Sequence, residues 1–575
     1  MASAVRRRRT LFVVWLSVLA LAFAALPANA KPSGSVDVQI LGINDFHGNL
    51  EPPAGSSGRV GPGPGGSPAA VNAGGVEYLA THLHSLEATN PNNTVIVSAG
   101  DLIGASPLLS ALFHDEPTIE AANAFGLDFN AVGNHEFDEG TVELARMQNG
   151  GCHPVDGCQD GDPFDGANFQ FLSANVVSES NGKTLFPGYK IRSFGGAKVA
   201  FIGLTLEGTP LIVSPSGVVG YDFLDEADTV NALVPVLHAK GVNTIVVLIH
   251  EGGVQNVVSD SNTINECNGI SGAIVDIMNH LDSEVDLVLS GHTHQPYKCN
   301  IHGIPVSSAF SFGRLITDVD MTIDRVSGEP TSITIDNKIV TRDVIKDPVE
   351  TTLIAKYNAI AAPLANKVIG QITADITRTQ NAAGESALGD VIADAQLDQT
   401  NDPGFGDAVV AFMNPGGIRA DLTYLSSPAG EGDGNVTYGE SFTVQPFGNT
   451  LVTLTLTGAQ IETLLEQQFA GCTLATARVL QVSAGFTYAW NPAGGVCDKV
   501  DPASIFLNGV LIDPSGSYRV TVNNFLADGG DSFPLLTQGT NRLGGAVDTD
   551  AIQAYFATHS PVDPGPQNRI TLTAP

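Results

Sequence analysis

Positive charge is scarce in this chain of 575 residues: 27 lysines and arginines stand against 60 aspartates and glutamates, a net charge of −33. Four of the basic residues, Arg6, Arg7, Arg8 and Arg9, crowd into the N-terminus. Such a surface repels polyanions at long range, which argues against a nucleic-acid polymer or an anionic membrane as partner. Beyond the first thirty residues there is no long uninterrupted apolar run, and the C-terminus, Thr571-Leu572-Thr573-Ala574-Pro575, has no apolar tail. A stable membrane insertion is therefore not expected. The 63 glycines follow no three-residue period, which excludes a collagen-like rod. The six cysteines include no Cys-x-x-Cys pair, which disfavours a zinc-thiolate site. No internal repeat links the two halves.

What is present suggests an exported globular protein of several domains. Arg6–Arg9, the apolar stretch Leu11 to Leu26 and Pro27-Ala28-Asn29-Ala30 together form an export signal, residues 1–30, with Arg8-Arg9 loosely fitting a twin-arginine route beside the general secretory one. An extracellular location, free or associated with the cell wall, follows as an expectation. An even cysteine number suits an oxidising compartment, and neighbour pairing is the simplest arrangement: Cys152 with Cys158, Cys267 with Cys299, Cys472 with Cys497.

Four times a short apolar strand runs into glycine, aspartate, asparagine or histidine. The strands are Val36 to Ile43, Thr94 to Ala99, Phe129 to Val132 and Thr244 to Ile249, with a further one, Val285 to Leu289, ending in Ser290-Gly291-His292-Thr293-His294. Helical spacing lies between them, so an α/β sheet is expected, and ligands of such sheets bind beyond the carboxyl ends of the strands. Those ends carry Asp45, His47, Asp101, Asn134, His250, His292 and His294. Asp-x-His and His-x-His each place two side chains on one side of an extended segment. Seven donors are too many for one ion that also binds water and enough for two ions sharing a carboxylate, for which Asp101 is the natural bridge. Mixed nitrogen and oxygen donors suit zinc or manganese, with iron or cobalt also possible, better than calcium. Asp343 to Ala365 reads as a helical connector, residues 343–365, between a first domain, 31–342, and a second, 366–562, with a tail at 563–575.

The segments Asn44-Asp45-Phe46-His47-Gly48, Gly100-Asp101, Gly133-Asn134-His135-Glu136-Phe137-Asp138, His250-Glu251-Gly252-Gly253 and Gly291-His292-Thr293-His294 resemble the calcineurin-like dimetal phosphoesterases. Within them, Asn-His-Glu-Phe-Asp is similar to the secreted 5′-nucleotidases. The resemblance covers about 36–560. It implies a four-layer α/β/β/α metallophosphoesterase domain followed by an α/β nucleotide-recognition domain. It implies that Asp45, His47, Asp101 and His294 hold one metal, and that Asp101, Asn134, His250 and His292 hold the other. His135 is implied to stabilise the transition state or assist the leaving group, with Asp138 orienting it.

In the second half, Asn414-Pro415-Gly416-Gly417-Ile418-Arg419 follows a strand, and Phe447 and Phe525 lie in polar loops. Two loop aromatics can clamp a flat ring by stacking. In the resembled nucleotidases two such phenylalanines sandwich the base, the aspartate of a Gly-Gly-Asp loop (here Asp531) binds the ribose, and Asn414 and Arg419 contact base and phosphate. That family usually adds two arginines four apart. Arg378 matches the first and Ala382 stands at the second. The implied activity is hydrolysis of small-molecule nucleoside 5′-phosphates by metal-activated water. The competing expectations are a 2′,3′-cyclic-nucleotide phosphodiesterase with 3′-nucleotidase action, a UDP-sugar hydrolase, and a non-catalytic extracellular nucleotide-binding or adhesive protein.

Overall fold

The computed structural model describes residues 34–573 except 54, 62–69, 214–216, 256–263, 405, 428 and 475. The expected export signal and part of the Gly/Pro-rich loop expected from Pro52 to Pro68 lie outside the described residues. No helix among the described residues is long and apolar enough to cross a membrane.

The first domain is built on two six-stranded sheets. One runs, in spatial order, Pro330–Ile339, Leu315–Asp324, Ser35–Ile43, Thr94–Ser98, Phe129–Ala131 and Gln170–Leu172. The other runs Pro296–Ile301, Ile304–Ala309, Leu287–Ser290, Thr244–His250, Ala197–Thr205 and Tyr189–Phe194. The central strands of both sheets are parallel. Parallel strands need helical crossovers, which cover the outer faces and explain the fully buried runs Thr94–Ser98 and Thr244–His250. The two inner faces meet through Val38, Ile40, Val95 and Val97 on one side and Phe201, Val246, Leu248 and Leu287 on the other. Helices Val76–Glu87 and Glu116–Phe125 cover the first sheet, and Glu226–Ala239 and Ala273–His280 the second. The four layers are the expected α/β/β/α arrangement.

The connector is the helix Pro348–Ala365. Asp347 caps it by accepting from the Val349 and Glu350 backbone N–H groups, and Pro348 occupies the first helical position, where no N–H is needed. Ile354, Tyr357 and Ala361 bury one side of it in the first domain's core. The second domain has a five-stranded sheet in the order Gln481–Val482, Val410–Met413, Ser517–Asn523, Thr450–Thr457, Thr540–Val547. Helices Ala387–Asp398 and Asp548–His559 share one of its cores, and Gly458–Gln467 belongs to the other.

One boundary differs from the expectation. Residues 563–575 were to form a tail, yet Ile570–Leu572 pairs in parallel with the strand Phe486–Gly495, and Ile570 is buried. The Arg569 guanidinium grips Asp394 at 2.7 and 2.8 Å, and Glu385 accepts the backbone N–H groups of Arg569 and Ile570. The second domain therefore extends to at least Leu572, into the segment assigned to the tail. All three expected disulfides are formed.

Candidate active site

The strand ends of both sheets of the first domain converge at one edge. Ser35–Ile43 leads to Asp45 and His47, Thr94–Ser98 to Asp101, and Phe129–Ala131 to Asn134. The other sheet delivers His250 at the last residue of its strand, and His292 and His294 beyond Leu287–Ser290. Five of these seven residues hold a left-handed backbone: Asp45, His47, Asp101, His292 and His294 have φ between 47° and 68°. Each such residue costs about 1–3 kcal/mol and persists only where its surroundings enforce it. The enforcement includes Gly100, at φ +91°, where a Cβ would fall 2.5 Å from His250 Nδ1.

Two triads result, Asp45–His47–His294 and Asp101–His250–His292, each with its ligand atoms within 4.8 Å of one another. Asp101 Oδ2 stands between them, 2.9 Å from His250 Nε2 and 3.6 Å from His47 Nε2. Asn134 Oδ1 lies 3.2 Å from His250 Nε2 and 3.0 Å from His292 Nδ1. His47 Nδ1 donates to the Gly104 carbonyl and His250 Nδ1 to the Ala99 carbonyl, both at 2.8 Å. These bonds assign the proton to Nδ1 and leave the Nε2 lone pairs facing inward. His47 Nε2 then faces His294 Nε2 at 3.1 Å, and His250 Nε2 faces an amide oxygen and a carboxylate. Acceptors facing acceptors in a buried site are unfavourable unless cations lie between them, so this donor set fits two divalent ions.

The electrostatics agree. Burial alone would raise Asp101, but His250, His135 and His47 hold it well below the usual carboxylate range. Burial drives His292 down to about 3 and His47 well below the ordinary imidazole value. His250 resists its burial and rises to about 10 because Asp101 is beside it.

His135 is not a member of either triad. Its backbone N–H donates to Asp101 Oδ1 at 2.9 Å, and its Nδ1 lies 2.8 Å from Asp138 Oδ2. Burial lowers its basicity, but Asp138 and Asp101 outweigh burial and raise it. The ring stacks on Phe447 of the second domain, centroids 5.6 Å apart. The two domains thus meet at the catalytic edge. A cavity of about 300 Å³ between them is lined by Asn134, His135, Asp138 and His292 on one side. Asn414, Gly416, Gly417, Arg419, Phe447, Phe525 and Asp531 line the other. Arg419 sits over the Phe447 ring, and its charge is felt at His47, His135 and His294. Gly530 is required here, since a Cβ would fall 2.4 Å from the Phe525 ring.

Arg378 is the one expected substrate residue that does not line this cavity. Its guanidinium donates to the Ile418 carbonyl at 3.2 Å and borders an adjoining groove. Arg478, which nothing in the sequence marks, does line the cavity. It pairs with Asp531 Oδ1, while Asn414 Nδ2 donates to Asp531 Oδ2 at 2.7 Å. Glu136 was also missed, although it sits inside the Asn-His-Glu-Phe-Asp segment. Its buried carboxylate accepts from the Gly133, Asp101 and Leu102 backbone N–H groups and from Asn130 Nδ2, tying the two ligand loops together.

The calcineurin-like phosphoesterase family model matches residues 38–296, and the 5′-nucleotidase C-terminal domain model matches residues 368–538. The chain is a calcineurin-like phosphoesterase with a 5′-nucleotidase-type C-terminal domain. It is 32 % identical to Endonuclease YhcR of Bacillus subtilis over 94 % of this chain and 41 % of that protein. It is 32 % identical to Cell wall protein Lmo0130 of Listeria monocytogenes over 90 % of this chain and 66 % of that one. This phosphoesterase therefore spans less than two thirds of either relative. Among solved structures, a 5′-nucleotidase precursor from Thermus thermophilus superposes with a TM-score of 0.73 at 26 % identity, covering 93 % of this chain and 99 % of that one.

Proposed function

We propose that this phosphoesterase is an exported, metal-dependent 5′-nucleotidase that releases phosphate from nucleoside 5′-phosphates. The observation that carries the reading is one shared cavity, lined by His135 and by Asn134 and His292 of the metal-ligand set on one side and by Phe447, Phe525 and Asp531 on the other. Two divalent ions held by Asp45, His47, Asp101 and His294 and by Asp101, Asn134, His250 and His292 would neutralise phosphate oxygens and acidify water. Arg419 reaches the same phosphate from the second domain with a planar fork of donors. Phe447 and Phe525 supply ring faces for the base, and Asp531, fixed by Asn414 and Arg478, accepts from the ribose hydroxyls. His135 donates Nδ1–H to Asp138, and in the imidazolium form, which Asp138 and Asp101 favour against burial, it carries a second proton on Nε2 to give to the departing nucleoside oxygen. The likeness to a cell wall protein and the paired cysteines support an extracellular setting.

The test is phosphate release by chelator-stripped protein after manganese or zinc is restored, comparing 5′-AMP with 2′,3′-cyclic AMP. Metal-dependent release from 5′-AMP with a poor cyclic ester is expected. Faster attack on the cyclic ester would keep the metal centre and overturn the assigned specificity. Metal uptake without hydrolysis of any nucleotide would make the protein a binder.

A further inference from the structure

The histidines of the two triads are not held alike. His47 and His250 each donate Nδ1–H to a backbone carbonyl, and their side chains are 1 % and 0 % exposed. His292 is fastened through its backbone N–H, which donates to the Asp45 carboxylate at 3.0 Å. His294 has neither support. Its Nε2 faces Asp45 Oδ1 at 3.3 Å and His47 Nε2 at 3.1 Å, its Nδ1 has no hydrogen-bond partner among the described residues, and its side chain is 27 % exposed. What its ring does meet is Phe312, centroids 5.3 Å apart and planes at 80°. Phe312 also lies edge-to-face with His47, at 5.9 Å and 63°. Aromatic pairs favour this geometry. His250 and His292 face each other instead, 5.3 Å apart.

Phe312 is held in place at a cost. Phe310, Phe312 and Gly313 have φ of 67°, 60° and 62°, and for a bulky aromatic residue that left-handed backbone is a genuine outlier. Such strain persists only where the surroundings enforce it. Here the Phe312 N–H donates to the Asp45 carbonyl at 2.7 Å. The Asn44 amide bridges the turn, accepting from the Ala309 N–H at 2.7 Å and donating to the Phe310 carbonyl at 2.8 Å. Arg314 donates to the Ser311 carbonyl at 2.9 Å and to Ser311 Oγ at 2.5 Å. Its guanidinium lies 3.5 Å from the centre of the Phe310 ring and 5.2 Å from that of Phe312. Arg314 is buried without an ion-paired carboxylate among the described residues, and burial followed by the charge of Arg378 brings it down to about 9. Its planar fork and its stacking face grip the turn that carries Phe312.

We propose that Phe312 is a positioning residue of the metal centre: its ring orients His294 in place of the hydrogen bond that orients His47 and His250, and so sets the affinity of the ion held by Asp45, His47, Asp101 and His294 more than that of its neighbour. Phe312 does not line the substrate cavity, so its effect passes through the ligands. The inference rests on the two-ion reading of the donor set and is independent of which nucleotide is hydrolysed.

The test reads metal rather than activity. Chelator-stripped full-length protein is titrated with zinc by calorimetry, and anomalous diffraction from crystals equilibrated at limiting zinc gives the occupancy of each ion position. Phe312→Met and Arg314→Lys are compared with wild type, and the thermal midpoint in chelator reports that each variant is folded. Phe312→Met is expected to weaken the ion at Asp45, His47 and His294 by about 10–100-fold and to leave the ion at Asn134, His250 and His292 within about threefold. Arg314→Lys, which keeps the charge and loses the fork, should weaken the same ion, and it decides the matter if Phe312→Met does not fold. Two ions weakened equally in a folded variant, or neither weakened, would overturn the positioning role. A wild type that takes up fewer than two ions would overturn it together with the two-ion reading, so the two failures are told apart.

Discussion

Replacing Glu136 by glutamine tests how the two ligand loops are held together. Glu136 Oε2 accepts from the Gly133 and Asp101 backbone N–H groups at 2.7 and 3.0 Å, and Oε1 from Leu102 N–H and Asn130 Nδ2 at 2.9 and 3.0 Å. All four partners are donors. Whichever way a glutamine amide turns, its NH₂ group faces two N–H groups that accept nothing. Each hydrogen bond to a buried charged group contributes about 1.5–3 kcal/mol, so losing two costs about 3–6 kcal/mol. Part of that returns, because burial and then the charge of Asp101 push Glu136 up to about 7, and the neutral amide escapes both. The expected net loss is near the lower end, about 3 kcal/mol, or ~100-fold in an opening equilibrium. Hydrogen exchange of chelated protein reads this directly at the Asp101, Leu102 and Gly133 amides. Zinc affinity at the two triads should weaken by about 10–100-fold, as for other groups that orient ligands. Protection factors within about threefold of wild type (~0.7 kcal/mol) would refute the claim that this carboxylate sets the loop geometry.

Four further outcomes follow from the geometry. His135→Ala should keep its metal content and lose about 10²–10⁴ in kcat. Asp138→Asn should move the alkaline limb of the rate profile toward lower pH: Asp138 raises His135 in the native protein, protonated His135 is lost as pH rises, and without Asp138 it is lost sooner. An unmoved limb would remove the assigned proton role. Phe447→Ala and Phe525→Ala should raise KM for 5′-AMP by about 5- to 100-fold, the equivalent of ~1–3 kcal/mol of stacking, and leave a small aryl phosphate nearly unaffected. Equal effects on both substrates would dismiss the clamp. Glu350→Gln should stabilise the protein at pH 8 and not near pH 4. The Glu350 carboxyl is buried, neither oxygen has a hydrogen-bond partner among the described residues, and burial followed by Asp347 and Glu77 lifts it from 4.5 to about 9. The native state therefore keeps a proton that the unfolded chain releases, so stability falls as pH rises between those two values, and the glutamine abolishes that fall.

The donors of the metal centre were legible because parallel-sheet topology does the gathering. Once strands such as Thr94–Ser98 and Thr244–His250 are read as buried and parallel, their polar ends must share an edge, wherever Asp101 and His250 lie in the chain. Asn414 and Arg419, expected from the family resemblance, follow Val410–Met413 in a sheet that is antiparallel but for its pairing with Ser517–Asn523, and both line the cavity. Positions that depend on how one segment crosses another carry no such signal. Arg478 reaches Asp531 across 53 positions of sequence, and no spacing or periodicity announces it. Arg378 has the right type and place in sequence, yet the structure turns its guanidinium toward the Ile418 carbonyl. Ile570 reads as part of a polar tail until the Arg569–Asp394 pair shows what holds it to the sheet. Glu136 lay in plain view and was still missed, because a carboxylate that binds backbone N–H groups looks like any other acid until its donors are located. Here those donors come from both the Asp101 loop and the Asn134 loop, so the residue that holds two ligands in place is recognised only when the two loops are seen together.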